Sequence, residues 1–156
     1  MADIDSSVDI LMVEDNADDE ALTLHELRKY HLTNRIQVVR DGQEALEYVF
    51  CTGRYATRDI KDQPHVILLD IKLPLIDGLE VLRRIKQDQR TRTVPVVMLT
   101  SSREEGDLIQ SYQLGVNAYV VKPVGFQEFL EAIQELGVFW AVLNEPPPGS
   151  AKASAR

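Results

Sequence analysis

The sequence predicts a doubly wound α/β domain, and three observations carry that prediction. Five short aliphatic runs recur along the 156 residues, they are apolar at consecutive positions instead of alternating, and segments of helical spacing lie between them. Strands apolar on both faces belong to a sheet covered on both sides. Alternation with helices makes such strands parallel, joined by right-handed crossovers.

The first run, VDILMV (8–13), precedes a helix in which Leu22, Leu24, Leu27 and Tyr30 share one side. IQVV (36–39) follows, then a helix with Ala45, Leu46, Val49 and Phe50 on one face. HVILLD (65–70) is the third strand, and its helix turns Leu79, Leu82, Ile85 and Val81 inward. VPVVML (94–99) and AYVV (118–121) complete the set, and Phe126, Phe129, Leu130, Ile133 and Leu136 form the stripe of a last helix. Asp41 with Glu44, Asp77 with Glu80 and Ser102 with Glu105 match capping boxes, in which the first side chain accepts from a free backbone N–H and the acid reaches back. Asn16 with Asp19 is a weaker relative of the same signal. The polar connection Thr52–Gln63 is longer than usual and has room for an extra helical turn. We expect an N-terminal arm over 1–7, one domain over 8–145 and a flexible proline-led tail over 146–156.

Composition narrows the function. Hydrophobic residues make up 44% and charged residues 27%, as in ordinary globular domains. No apolar run approaches the ~20 residues of a membrane span, and MADIDSSVDI lacks the pattern of a secretory signal, so a cytoplasmic protein with no membrane association is expected. The net charge of -8 repels nucleic acid backbone, and no helix-turn-helix region follows Pro123, so no direct nucleic acid contact is expected. The single Cys51 reads as a small buried apolar residue, and His25, His31 and His65 show no ligand spacing.

Parallel strands align their C-terminal ends along one edge, where ligands bind. VILLD delivers Asp70 to that edge, and ILMVEDN delivers Glu14 and Asp15. Two like charges ~4 Å apart repel by ~4 kcal/mol at an effective dielectric of 20. A hard divalent cation resolves such crowding, and oxygen ligands in an incomplete cage suit Mg²⁺. The fourth strand adds the hydroxyl of Thr100 and the fifth the ammonium of Lys122. A metal, a hydroxyl and an ammonium around one carboxylate describe a site for a phosphoryl group on that carboxylate.

VEDN, LLDIKLPLIDG, MLTSS and YVVKP, in this order, resemble the receiver domain of bacterial two-component response regulators, over residues 8 to about 136. The resemblance implies a flavodoxin-like fold with strand order 2-1-3-4-5. It implies a single-domain, chemotaxis-regulator-like protein that accepts a phosphoryl group from a sensor histidine kinase onto Asp70 and signals by a conformational switch and protein binding. Such a phosphoacceptor catalyses only its own phosphorylation and dephosphorylation. In the same way Asp15 is implied as a direct Mg²⁺ ligand, Glu14 as an acid acting through water and the backbone carbonyl of Lys72 as a further ligand beside Asp70. Thr100 and Lys122 are implied to bind the phosphoryl group, Tyr119 to switch with Thr100, and the bond before Pro123 to be cis. Two departures stand out: the first acid is Glu14 in place of aspartate, and the Lys72 side chain can lean over the phosphoryl group and alter its lifetime.

Beyond Gly137, VFWAVL places Val138 and Val142 off the stripe of the last helix. A helix apolar all round needs cover on a second side. We therefore expect a homodimer through the last helix and strand five, with Phe126, Phe129, Val138, Phe139, Trp140 and Val142 at its interface. LGVFWAVLNEPPP and the TGRYATRD connection resemble the regulators of phytochrome-type histidine kinases, which implies such a kinase as partner.

Three rivals are weaker. A haloacid-dehalogenase-type phosphatase needs a second aspartate two residues after the nucleophile, where Lys72 stands. A flavodoxin-like cofactor binder needs a glycine- and hydroxyl-rich phosphate loop where this chain has EDNADDE. A phosphorylation-independent adaptor with the same fold would not need the full acidic, hydroxyl and lysine set.

Overall fold

A computed structural model describes residues 8–29, 35–111 and 118–137. Five parallel strands, β1 (Ile10–Val13), β2 (Ile36–Val39), β3 (Val66–Asp70), β4 (Val96–Thr100) and β5 (Ala118–Val121), form one sheet in the order β2-β1-β3-β4-β5. The helices between and after them are α1 (Ala17–Lys29), α2 (Gly42–Phe50), α3 (Gly78–Gln87), α4 (Arg103–Ser111) and α5 (Phe126–Leu136).

The period-two geometry of a strand splits each aliphatic run between two cores. Ile10, Met12, Val66, Leu68, Val97 and Leu99 point to one face, where Leu27 of α1 and Phe129 and Ile133 of α5 cover them. Leu11, Val13, Ile67, Leu69, Val96 and Met98 point to the other, beneath Val49, Leu82, Ile85 and Ile109. Burying both faces is what makes the runs continuous in sequence.

The cap side chains act as expected, Asp41, Asp77 and Ser102 accepting from the N–H groups of Glu44, Glu80 and Glu105 at 2.7, 3.0 and 3.1 Å. The acids bond elsewhere: Glu44 and Glu105 accept from the residue before the cap, and Glu80 from Arg83 and Arg84. Thr52–Gln63 contains a 3₁₀ turn, Gly53–Tyr55.

Several expectations need correction. The fourth strand runs two residues later at its start than the aliphatic run did, since Pro95 has no N–H to give a ladder. On α1, Leu22 is 55% exposed and Thr23 takes the inward position. Cys51 is half-buried, capping α2 in the left-handed conformation at φ 58°. Phe129 is fully buried in the protein's own core, so it offers no side-chain surface to a dimer partner. Tyr30, His31, Val138, Phe139, Trp140, Val142, the arm over 1–7 and the tail over 146–156 lie outside the described residues. Among the described residues, no helix is long and apolar enough to cross a membrane.

Candidate functional site

Asp70 is the last residue of β3 and is only 5% exposed. Two strong aliphatic ladders, with β1 and β4, fix its position. Behind it, α3 begins so close to the strand end that a Cβ on Gly78 would lie 2.1 Å from the Asp70 carbonyl oxygen. Any side chain there would push α3 off the acceptor.

Glu14 follows β1, its N–H donating to the Val39 carbonyl at 3.0 Å, and it is buried. Asp15 beside it is exposed. Glu14, Asp15 and Asp70 each offer a carboxylate oxygen, and these oxygens lie within 4.8 Å of one another. A hard, all-oxygen donor set of this kind fits a divalent cation of the Mg²⁺ type. Lys72 is exposed and lines an open cleft of about 500 Å³ with Asp15, Leu73, Pro74 and Asp77.

Lys122 follows β5, and its backbone N–H donates to the Thr100 carbonyl at 2.8 Å. That bond sets it beside β4 and sends its ammonium back over the sheet edge. Nζ lies 3.0 Å from Asp70 Oδ2, 3.3 Å from Glu14 Oε1 and 2.9 Å from Asp19 Oδ2. The bond between Lys122 and Pro123 is cis, as the resemblance implied.

The electrostatics follow from crowding. Burial first, and then the adjoining Asp70 carboxylate, push Glu14 up to about 7, against the opposing pull of the Asn16 N–H and Lys122. Burial would lower Lys122, but the hydrogen bonds it donates to Asp19 and Asp70 outweigh that and hold the ammonium above its ordinary range.

Thr100 ends β4, is 1% exposed, and its hydroxyl donates to the Ser102 carbonyl at 3.0 Å. Tyr119 is half-buried, with its hydroxyl donating to Asp107 Oδ1 at 2.8 Å. Its ring lies on α4 where Gly106 leaves room: a Cβ at that glycine would stand 2.3 Å from two ring carbons. The structure thus gathers Glu14, Asp15, Asp70 and Lys122 into one cluster. It adds Asp19, which the sequence offered only as part of a helix cap. The only signal the sequence carries for it is its place in the first turn of α1, just past Glu14 and Asp15.

Residues 10–134 match the family model of the response regulator receiver domain. The chain is 37% identical over 138 residues to a probable methanogenesis regulatory protein, FilR2, of Methanothrix harundinacea, covering 88% of this chain and 86% of that protein. It is 37% identical over 131 residues to response regulator Rcp1 of Synechocystis sp., covering 84% of this chain and 87% of Rcp1. The crystal structure of the Mn²⁺-bound form of Rcp1 superposes with a TM-score of 0.68 at 35% identity, over 92% of this chain and 99% of that one. The bacteriophytochrome response regulator AtBRR superposes with a TM-score of 0.81 at 56% identity, over 90% of this chain and 99% of AtBRR.

Proposed function

The chain belongs to the response regulator receiver family, so it is a phosphoacceptor served by histidine kinases, and from that premise we propose that Asp70 is the acceptor and a phytochrome-type kinase the donor. The observation that carries the assignment to Asp70 is its place: a nearly buried carboxylate between a metal-compatible pair of acids and a lysine ammonium at 3.0 Å. The phytochrome partner is supported by the 56% identity to AtBRR.

In the reaction, an Asp70 carboxylate oxygen attacks the phosphorus of a kinase phosphohistidine. The P–O bond forms as the P–N bond breaks, and the imidazole leaves with the electron pair. Receivers bind a divalent metal; here Glu14, Asp15, Asp70 and the Lys72 carbonyl would hold Mg²⁺, which supplies positive charge to the phosphoryl oxygens. Lys122 supplies the second positive charge and, held by its neighbours, cannot swing into solvent. Thr100 would exchange its Ser102 carbonyl for a phosphoryl oxygen. Phosphorylation adds roughly -1.5 to -2 charges at the sheet edge, and the Thr100 to Tyr119 surface converts that charge into a new binding face. Water entering past Lys72 ends the signal by hydrolysing the acyl phosphate.

The protein would act in the cytoplasm, through protein binding, as a homodimer joined by the last helix and strand five, with Phe126 at the described margin of that surface. The support for the dimer is the apolar sequence that follows Gly137. Residues 8–145 would form the receiver unit.

Intact mass after incubation with acetyl phosphate and Mg²⁺ tests the assignment. One phosphate adduct is expected in the wild type, none in Asp70→Asn and none in EDTA. An adduct that survives Asp70→Asn would move the acceptor elsewhere.

A further inference from the structure

Asp19 stands three residues after the helix cap Asn16, where the acid of a capping box reaches back to the free N–H of the cap. The structure assigns that N–H elsewhere: it donates to Glu14 Oε2 at 3.2 Å. The Asp19 N–H still donates to Asn16 Oδ1 at 2.9 Å, which fixes the first turn of α1. Its carboxylate, with no cap to serve, accepts from Lys122 Nζ at 2.9 Å.

An ammonium has three N–H donors, and Glu14, Asp19 and Asp70 occupy all of them. A phosphoryl group on Asp70 brings strong acceptor oxygens and needs one of those donors. Asp70 can hand over its own donor once it is no longer a free carboxylate, and a second N–H for the phosphoryl oxygens is released only if Glu14 or Asp19 gives way. The Glu14 side chain is 1% exposed and cannot replace a lost donor with water. The Asp19 side chain is 37% exposed and can.

We infer that Asp19 is a positioning residue, a tether that holds Lys122 at the rim of the site in the unphosphorylated protein and competes with the phosphoryl group for its ammonium. This rests on the reading of Asp70 as phosphoacceptor and Lys122 as its counter-ion. The tether weakens the hold on the phosphoryl group, and it keeps a half-buried ammonium in place before the phosphoryl group arrives.

Calorimetric titration of beryllofluoride in saturating Mg²⁺ tests this, using wild type, Asp19→Asn and Asp19→Glu, and the Asn change again in a Lys122→Gln background. Asp19→Asn is expected to bind roughly three- to tenfold more tightly, a range set by the partial exposure of the pair. Asp19→Glu keeps the charge and is expected to bind like wild type. In the Lys122→Gln background the gain should vanish, because the cycle then removes the competed group. Equal or weaker binding by Asp19→Asn overturns the tether. So does an undiminished gain without Lys122, which would make Asp19 a remote charge only. A folded wild type that takes up no beryllofluoride overturns the phosphoacceptor reading, and the tether with it.

Discussion

The C-terminal edge of the sheet and the connection from Thr52 to Gln63 both crowd polar and charged side chains, and they treat them in opposite ways. In the connection the charged groups meet their complements, and among the buried side-chain polar atoms of the described residues only Gln63 Oε1 lacks a hydrogen-bond partner. Arg54 Nε donates to Glu47 at 2.7 Å and the Tyr55 hydroxyl to Glu44 at 2.6 Å. The Arg58 guanidinium lies 3.8 Å from the centre of the Tyr48 ring and donates to the Tyr48 and Asp62 carbonyls. Gln63 Nε2 closes the far end on the Val49 and Ile60 carbonyls at 2.8 and 2.9 Å. At the sheet edge, Glu14, Asp19 and Asp70 share one ammonium, and Asp15 adds a further carboxylate within the metal-compatible group. Matched charge fastens a long loop to α2. Unmatched like charge is retained because a cation and a phosphoryl group need it, and functional sites are where such perturbation collects.

Substitutions in the two regions are therefore expected to move stability in opposite directions. The largest effect is expected from Arg58→Ala, which removes a ring contact and two carbonyl partners at once. Urea unfolding should show a loss of about 2–3 kcal/mol, with the acetyl phosphate adduct still formed. A variant that keeps its stability would break the comparison on the structural side.

Next comes Glu14→Gln in metal-free buffer, which is expected to stabilise. The folded protein holds Glu14 at about 7 against an ordinary 4.5, so it binds that proton more tightly than the unfolded chain does. The fold therefore loses stability as pH rises from 4.5 through 7. Removing the charge should recover roughly 1–2 kcal/mol at pH 8 and nothing below the unfolded value. Thermal unfolding at pH 8 and pH 4 in EDTA measures the difference, and a loss of stability at pH 8 would count against the crowding argument.

Tyr55→Phe should cost about 1 kcal/mol. Burial, and then the Glu44 carboxylate, push the Tyr55 hydroxyl up to about 12. The folded form thus keeps this proton above pH 10, where the unfolded chain releases it, and stability from the latch is lost as pH rises from 10 through 12. Ultraviolet titration of the variant should lack the late tyrosine step. The smallest effect belongs to Arg54→Ala, whose side chain is 53% exposed; its unfolding midpoint should match wild type, since exposed pairs contribute little.

Strand positions and the carboxylates at their ends were legible because burial on both faces leaves an unmistakable apolar run, and a charge terminating such a run has few other uses. Helix faces were less legible. On α1 a threonine displaced a leucine from the core, because adjacent positions sit 100° apart and a short amphipathic stripe tolerates either. The length of the 52–63 connection could be read from the chain, but not its fastening. That depends on Tyr48 meeting Tyr55 edge-on at 4.9 Å and on Arg58 returning to α2, pairings between separate elements. Asp19 escaped for the same reason: its partner lies 103 residues away, and its local pattern already had a sufficient explanation as a cap.

The contact between Gly106 and the Tyr119 ring also constrains descent. A methyl group at 106 would stand 2.3 Å from the ring carbons, so that position cannot gain a side chain while the Tyr119 ring keeps its place. Through divergence the two sites should be inherited as a pair, a small residue on the helix wherever the strand carries a large ring. A lineage that fills the glycine must first have shed the tyrosine or moved its ring.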